Sequence, residues 1–207
     1  MPGVYGRPVA VPRIVQVSPA ATGTSSCTPT LPLTPSPGNI LVAFHASSAS
    51  GTPGASGGGI PGDGWFRFAY FAATSGTQCA SSIWWGRVGA TPSATMTLSY
   101  GSSGGGFVCE VAGAQGIPLN PLAAVGSASG SASTVTLSMP TTVRDGLRMV
   151  IFVSRGNFTR VVPSMTVYGD FSNTARGRLL VSPNPGVGQI LTAVGGTGIG
   201  GIAMVLT

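Results

Sequence analysis

The chain has 207 residues, enough for one large all-β domain or two small ones, and is rich in glycine (33) and proline (17). Its ten cationic residues are all arginines, against four acids, for a formal net charge of +6. The arginines are scattered, with loose groups only at 144–160 and 176–178. They lack the concentrated, aromatic-interleaved basic face of a nucleic-acid binder, so an acidic protein partner is expected instead.

In chain order, the first segment is Met1 to Arg13. It has neither a charged n-region nor a continuous apolar h-region, so no signal peptide is expected. Pro2, Pro8 and Pro12 remove amide donors, so the segment reads as an extended arm that joins neither a helix nor a central strand. Val4, Tyr5, Val9 and Val11 gain from burial only if another surface covers them, and Arg7 and Arg13 suit acidic groups there. These six are the candidate partner-binding residues.

From residue 14 onward strand signals dominate, and no helical periodicity survives the glycines and prolines. The expected strands are Ile14 to Val17, Asn39 to Ala46, Trp65 to Ala72, Ser81 to Val88, Thr95 to Tyr100, Phe107 to Val111, Thr134 to Met139, Leu147 to Val153, Met165 to Tyr168, Arg178 to Val181, Gln189 to Val194 and Ile202 to Leu206. Short strands between Gly/Pro/Ser/Asn clusters predict an all-β, antiparallel, jelly-roll-like β-sandwich. No run approaches the ~18 apolar residues of a membrane span, so a soluble protein made in a cytoplasm is expected, with no membrane partner.

The chain also resembles itself. Gly38, Val42 and Phe44 align with Gly146, Val150 and Phe152, each strand preceded by a Thr-Leu pair, Thr30-Leu31 and Thr136-Leu137. Phe107 to Val111 parallels Ile202 to Leu206. A single sandwich over 14–207 is therefore expected, with pseudo-halves of about 14–125 and 134–207.

Chemistry-bearing motifs dissolve on inspection. Ser99 to Glu110, SYGSSGGGFVCE, is glycine-rich, but a phosphate loop needs a Gly-Lys-Ser/Thr feeding a helix. With no lysine and a strand following, the segment reads as a strand-to-strand connection. Gly196 to Gly201 spells GxGxxG yet also runs into a strand. Two GxSxG matches, at Ser56 and Ser103, sit on no strand-turn-helix elbow.

His45 is the one histidine and shares a strand face with Leu41 and Ala43, which suits a structural or exposed role. Asp63 and Asp145 lie in turn sequences. Glu110 stands within a strand, where a pair with Arg87 is expected. Cys27, Cys79 and Cys109 have no CxxC spacing and read as buried thiols, with no disulfide framework or zinc site. Trp84 and Trp85 must point to opposite faces, one into the core and one outward, where it can meet a subunit or a sugar. No catalytic residue, cofactor or metal is expected, and the protein reads as non-enzymatic.

The succession PGNILVAF, PGDGW, SSIWWGRVG, FVCEVAGAQGIPLNPL, TVTLSMPTTVRDGLRMVIF and IAMVLT, across roughly residues 12 to 207, is similar to the Gly/Ser/Thr-rich β-sandwich domains of tailed-bacteriophage virion proteins. Those carry a P-x-G-D-L-L-V strand, a G-W turn, a Y-x-R strand, a Y-x-G…P strand and a second D-G-x-L-V-V strand. Here Asn39 replaces the Asp, Trp85-Gly86-Arg87 the Tyr-x-Arg element, and Ala112-Gly113 follows a valine where an aromatic is common. The resemblance implies a virion structural protein, synthesised in a bacterial cytoplasm. Its expected role is capsid decoration on the outer head surface, with the major capsid protein or other virion proteins as partners and a homo-oligomer, a trimer, as its state. The alternative is a minor tail or fibre protein that binds host surface glycan.

Overall fold

The computed structural model describes residues 11–48, 51–62, 64–72, 80–114, 125–127, 134–138, 147–154, 160–162, 166–172, 176–182, 190–194 and 200–206. Among them there is no helix, and the fold is an all-β sandwich of antiparallel sheets.

The N-terminal part supplies β1 (Arg13–Val17), β2 (Ala21–Gly23), β3 (Ser26–Cys27), β4 (Ile40–Ser47), β5 (Gly54–Gly57), β6 (Phe66–Ala72), β7 (Ala80–Arg87), β8 (Met96–Ser99) and β9 (Gly104–Ala112). The C-terminal part supplies β10 (Val125–Ser127), β11 (Thr134–Ser138), β12 (Leu147–Ser154), β13 (Arg160–Val162), β14 (Thr166–Ser172), β15 (Arg176–Ser182), β16 (Ile190–Val194) and β17 (Gly200–Leu206). Every segment expected as a strand overlaps one of these. The strands not foreseen are β2, β3, β5, β10 and β13, each two to four residues long.

One large sheet runs β1-β9-β4-β7-β6, with β2 also on β9, and a three-stranded sheet runs β3-β8-β5. The C-terminal strands form β10-β17-β12-β15-β14 and β11-β16-β13. In each large sheet the first strand of its part of the chain pairs with the last, and the central strand, β4 or β12, takes that last strand on one side.

Strand alternation sends Ile40, Val42, Phe44 and Ala46 of β4 to one face. There they pack with Phe107, Cys109 and Val111 of β9 against Met149, Ile151 and Val153 of β12 and Met204 and Leu206 of β17. The opposite face of β4 carries Leu41 and Ala43, which join Val108 in packing against Met96 and Leu98 of β8, Cys27 and Tyr100. The β4 sheet is thus covered on both sides, which is why ILVAFHAS is buried along its whole length.

The two internal alignments fare differently. Cys109 and Met204, and Val111 and Leu206, all reach the shared core, so the β9 and β17 letters match in facing. Phe44 also faces that core, but Phe152 alternates with Ile151 and Val153 and, though buried, faces away from it. A one-residue slip reverses every side chain of a strand, and aligning Phe44 with Phe152 rather than with Ile151 or Val153 makes that slip and pairs opposite faces.

The glycine-rich stretch links β8 in one sheet to β9 in another through Tyr100–Ser103. A Cβ on Gly106 would strike the Phe44 carbonyl and the Leu98 side chain, so glycine is required there by close packing of two layers.

Arg13 is a correction to the expected arm. It opens β1 opposite Ala112, and Pro12 is buried just before it, where a missing amide breaks no ladder bond. The sandwich therefore begins at Pro12, while Val11 stays 57% exposed. Val4, Tyr5, Arg7 and Val9 lie outside the described residues.

Candidate functional site

His45 lies at the β4 end nearest Gly106 and is buried at 2% exposure. Its ring stacks on Tyr100, with centroids 4.6 Å apart. Trp84 Nε1, which can only donate, gives its proton to Ser82 Oγ at 2.9 Å, and Ser82 Oγ lies 3.1 Å from His45 Nδ1. Ser82 Oγ carries one proton and two lone pairs, so donor and acceptor in its bond to His45 Nδ1 follow the imidazole tautomer, and the other ring nitrogen is Nε2. That atom is buried without a hydrogen-bond partner among the described residues. Burial lowers the imidazole pKa to about 4, so the ring is neutral at ordinary pH. On the other side of Tyr100, burial raises both the phenol and the Cys27 thiol. These groups are held in their uncharged forms.

Glu110 is the second buried polar centre, 1% exposed on β9. Its carboxylate accepts from Gln16 Nε2 at 2.6 Å, Asn39 Nδ2 at 2.6 Å and the Ser36 amide at 2.8 Å. Gln16 in turn brackets Leu33 through its carbonyl and amide. The cluster ties the 33–39 loop to β1 and β9. The expected Arg87 pair does not form. Glu110 lies opposite Leu41, while Arg87 lies opposite Ile40, so the two point to opposite faces of one sheet. Arg87 instead donates Nη1 to the Gly38 carbonyl at 2.7 Å.

His45 and Glu110 share a face but stand opposite Gly106 and Leu41, four positions apart along the strands, about 13 Å. That separation leaves no acid–base pair acting on one substrate.

The third feature is the edge formed by β6 and β7. Trp85 faces the shared core at 8% exposure and stacks on Phe66, centroids 5.1 Å apart, while Phe66 itself is 54% exposed. Trp84 faces the other way, half-buried, with the Arg67 guanidinium 6.0 Å from its ring and 5.5 Å from that of Tyr70. The expected opposite facing of the two tryptophans holds. The more accessible aromatic, however, is Phe66, which tryptophan-centred reasoning passed over. The run WFRFAYF carried the signal, but a β-bulge between Arg67 and Ala69 obscures its alternation.

Beside Phe66 and Trp85 lies a cleft of about 530 Å³, walled by Ile60, Pro61, Val88 and Gly89, with Arg87 at its margin. The walls are closely set, since a Cβ on Gly86 or Gly89 would press into Ile60 or Pro61.

Cys27 and Cys109 are buried free thiols, and burial raises the Cys109 thiol as well. Cys79, Asp63 and Asp145 lie outside the described residues. Among the described residues no group of three or more His, Cys, Asp or Glu side chains could hold a metal ion. Comparison with protein-family models, with curated proteins and with solved structures found no match to this chain.

Proposed function

We propose that the chain is a non-enzymatic structural protein of a tailed-bacteriophage virion that decorates the outer surface of the capsid. The observation that carries this reading is the fate of His45, the one histidine, and of Glu110, the strand-borne acid. His45 is enclosed by Tyr100 and Ser82, and Glu110 is saturated by Gln16, Asn39 and the Ser36 amide. Both are built into the sandwich. The parallel strand orders of the two large sheets support a duplicated, jelly-roll-like architecture.

The N-terminal edge supports docking there. Val11 (57%), Val15 (50%) and Leu33 (71%) are exposed apolar side chains, and Leu33 is tied to β1 through Gln16. These exposed side chains offer apolar contact to a capsid subunit or a second copy, as the sequence of the arm, with Val4, Tyr5 and Val9, also does. Arg7 and Arg13 add attraction to acidic groups that weakens with salt. The homo-oligomer, a trimer, follows from the threefold sites that capsid lattices offer.

The test is saturable binding to empty capsids. Deleting residues 1–10, which stops short of the buried Pro12, should leave a folded sandwich that no longer binds. Unchanged binding and salt dependence of the truncated chain would remove the arm as anchor, and failure of the full chain to bind heads would remove decoration.

A further inference from the structure

The cleft beside β6 and β7 is walled by residues that the cores hold in place, Ile60, Trp85 and Val88 among them. Phe66 presents an aromatic face, 54% exposed, backed by the stacked indole of Trp85. Arg87 follows Trp85 by two positions on β7, on the same face, and stands diagonally across from Phe66 at about 7–8 Å between backbones. Its guanidinium has five N–H donors, and Gly38 accepts from Nη1, leaving donors for a ligand.

A cleft lined by both an exposed aromatic ring and a guanidinium suits a ligand with an apolar face and an anionic group. We infer that this cleft binds an acidic pyranose, its apolar C–H face on Phe66 and its carboxylate on Arg87. The negative face of the ring attracts the weakly positive C–H groups, and a guanidinium meets a carboxylate through two parallel hydrogen bonds. The volume of about 530 Å³ is ample for one such residue and its neighbour in a chain.

A peptide is the competing occupant, and the backbone disfavours it. A peptide strand would add to the β6 edge, but the bulge between Arg67 and Ala69 breaks the regular ladder next to the cleft. A sugar needs only the platform and the cation. This inference holds equally for a head or a tail location, and its test uses the purified chain alone.

Calorimetric titration of the full chain with glucuronic acid, with glucose as the neutral probe, should give a Kd on the order of 1 mM for the acid and about tenfold weaker binding for glucose. Phe66→Ala should weaken glucuronate about tenfold or more with an unchanged thermal midpoint, since that ring is over half exposed. Arg87→Gln should bring the two sugars to equal affinity. The proposal is overturned if glucuronate gives no saturable heat well above that concentration, if Phe66→Ala binds it like the parent, or if acidic peptides bind while sugars do not.

Discussion

Acid should destabilise this protein through His45 as the pH falls below 6.5. The imidazole has a folded pKa of about 4, depressed by burial, against an ordinary value of 6.5. A depressed histidine favours the folded state fully above pH 6.5, and that advantage is lost as the pH falls towards 4, because the unfolded chain takes up the proton first. With those two values, the loss between pH 7 and pH 5 is about 2 kcal/mol, reaching about 3 kcal/mol at pH 4.

His45 is the one histidine in the chain, and histidine is the side-chain type whose ordinary pKa lies between pH 5 and pH 7. Urea denaturation of the parent and of His45→Gln at both pH values isolates the effect. The variant will be weaker at pH 7, having lost its stack on Tyr100, but its stability should hardly change down to pH 5. Parallel pH profiles for the two proteins, or an imidazole NMR signal titrating near 6.5, would refute the reasoning.

Replacing Glu110 by Gln puts an amide donor among three donors and removes the charge from their hydrogen bonds, so chemical denaturation should show a loss on the order of 2 kcal/mol. Gly106→Ala should lower stability by a similar amount or prevent folding, because the new methyl meets the Phe44 carbonyl of the neighbouring strand and the Leu98 side chain of the other layer; a thermal midpoint equal to the parent's would show that both can give way. Thiol reagents should modify Cys27 and Cys109 only after denaturation, which mass spectrometry of native and unfolded samples can resolve site by site.

The strands themselves were legible in the sequence. Segments such as ILVAFHAS and LRMVIFVS are β-branched and aromatic runs bounded by turn residues, and local chemistry alone marks them. The short strands escaped notice because GASG and ATG have no side-chain pattern of their own. Their pairing is imposed by β8 and β9 beside them. Alternation also placed His45 with Leu41 and Ala43, and set Trp84 against Trp85.

What tertiary structure alone decided is what covers each face. His45 could have been exposed, and its burial comes from Tyr100, fifty-five positions away in the chain, closing over it. Glu110 and Arg87 share a sheet, and their opposite charges invite a pairing in one dimension. Their register against Leu41 and Ile40 puts them on opposite sides of it. Side-chain direction in a sheet depends on the parity of the register, and register is set by partners distant in the chain, so no local pattern can reveal which charged groups will meet.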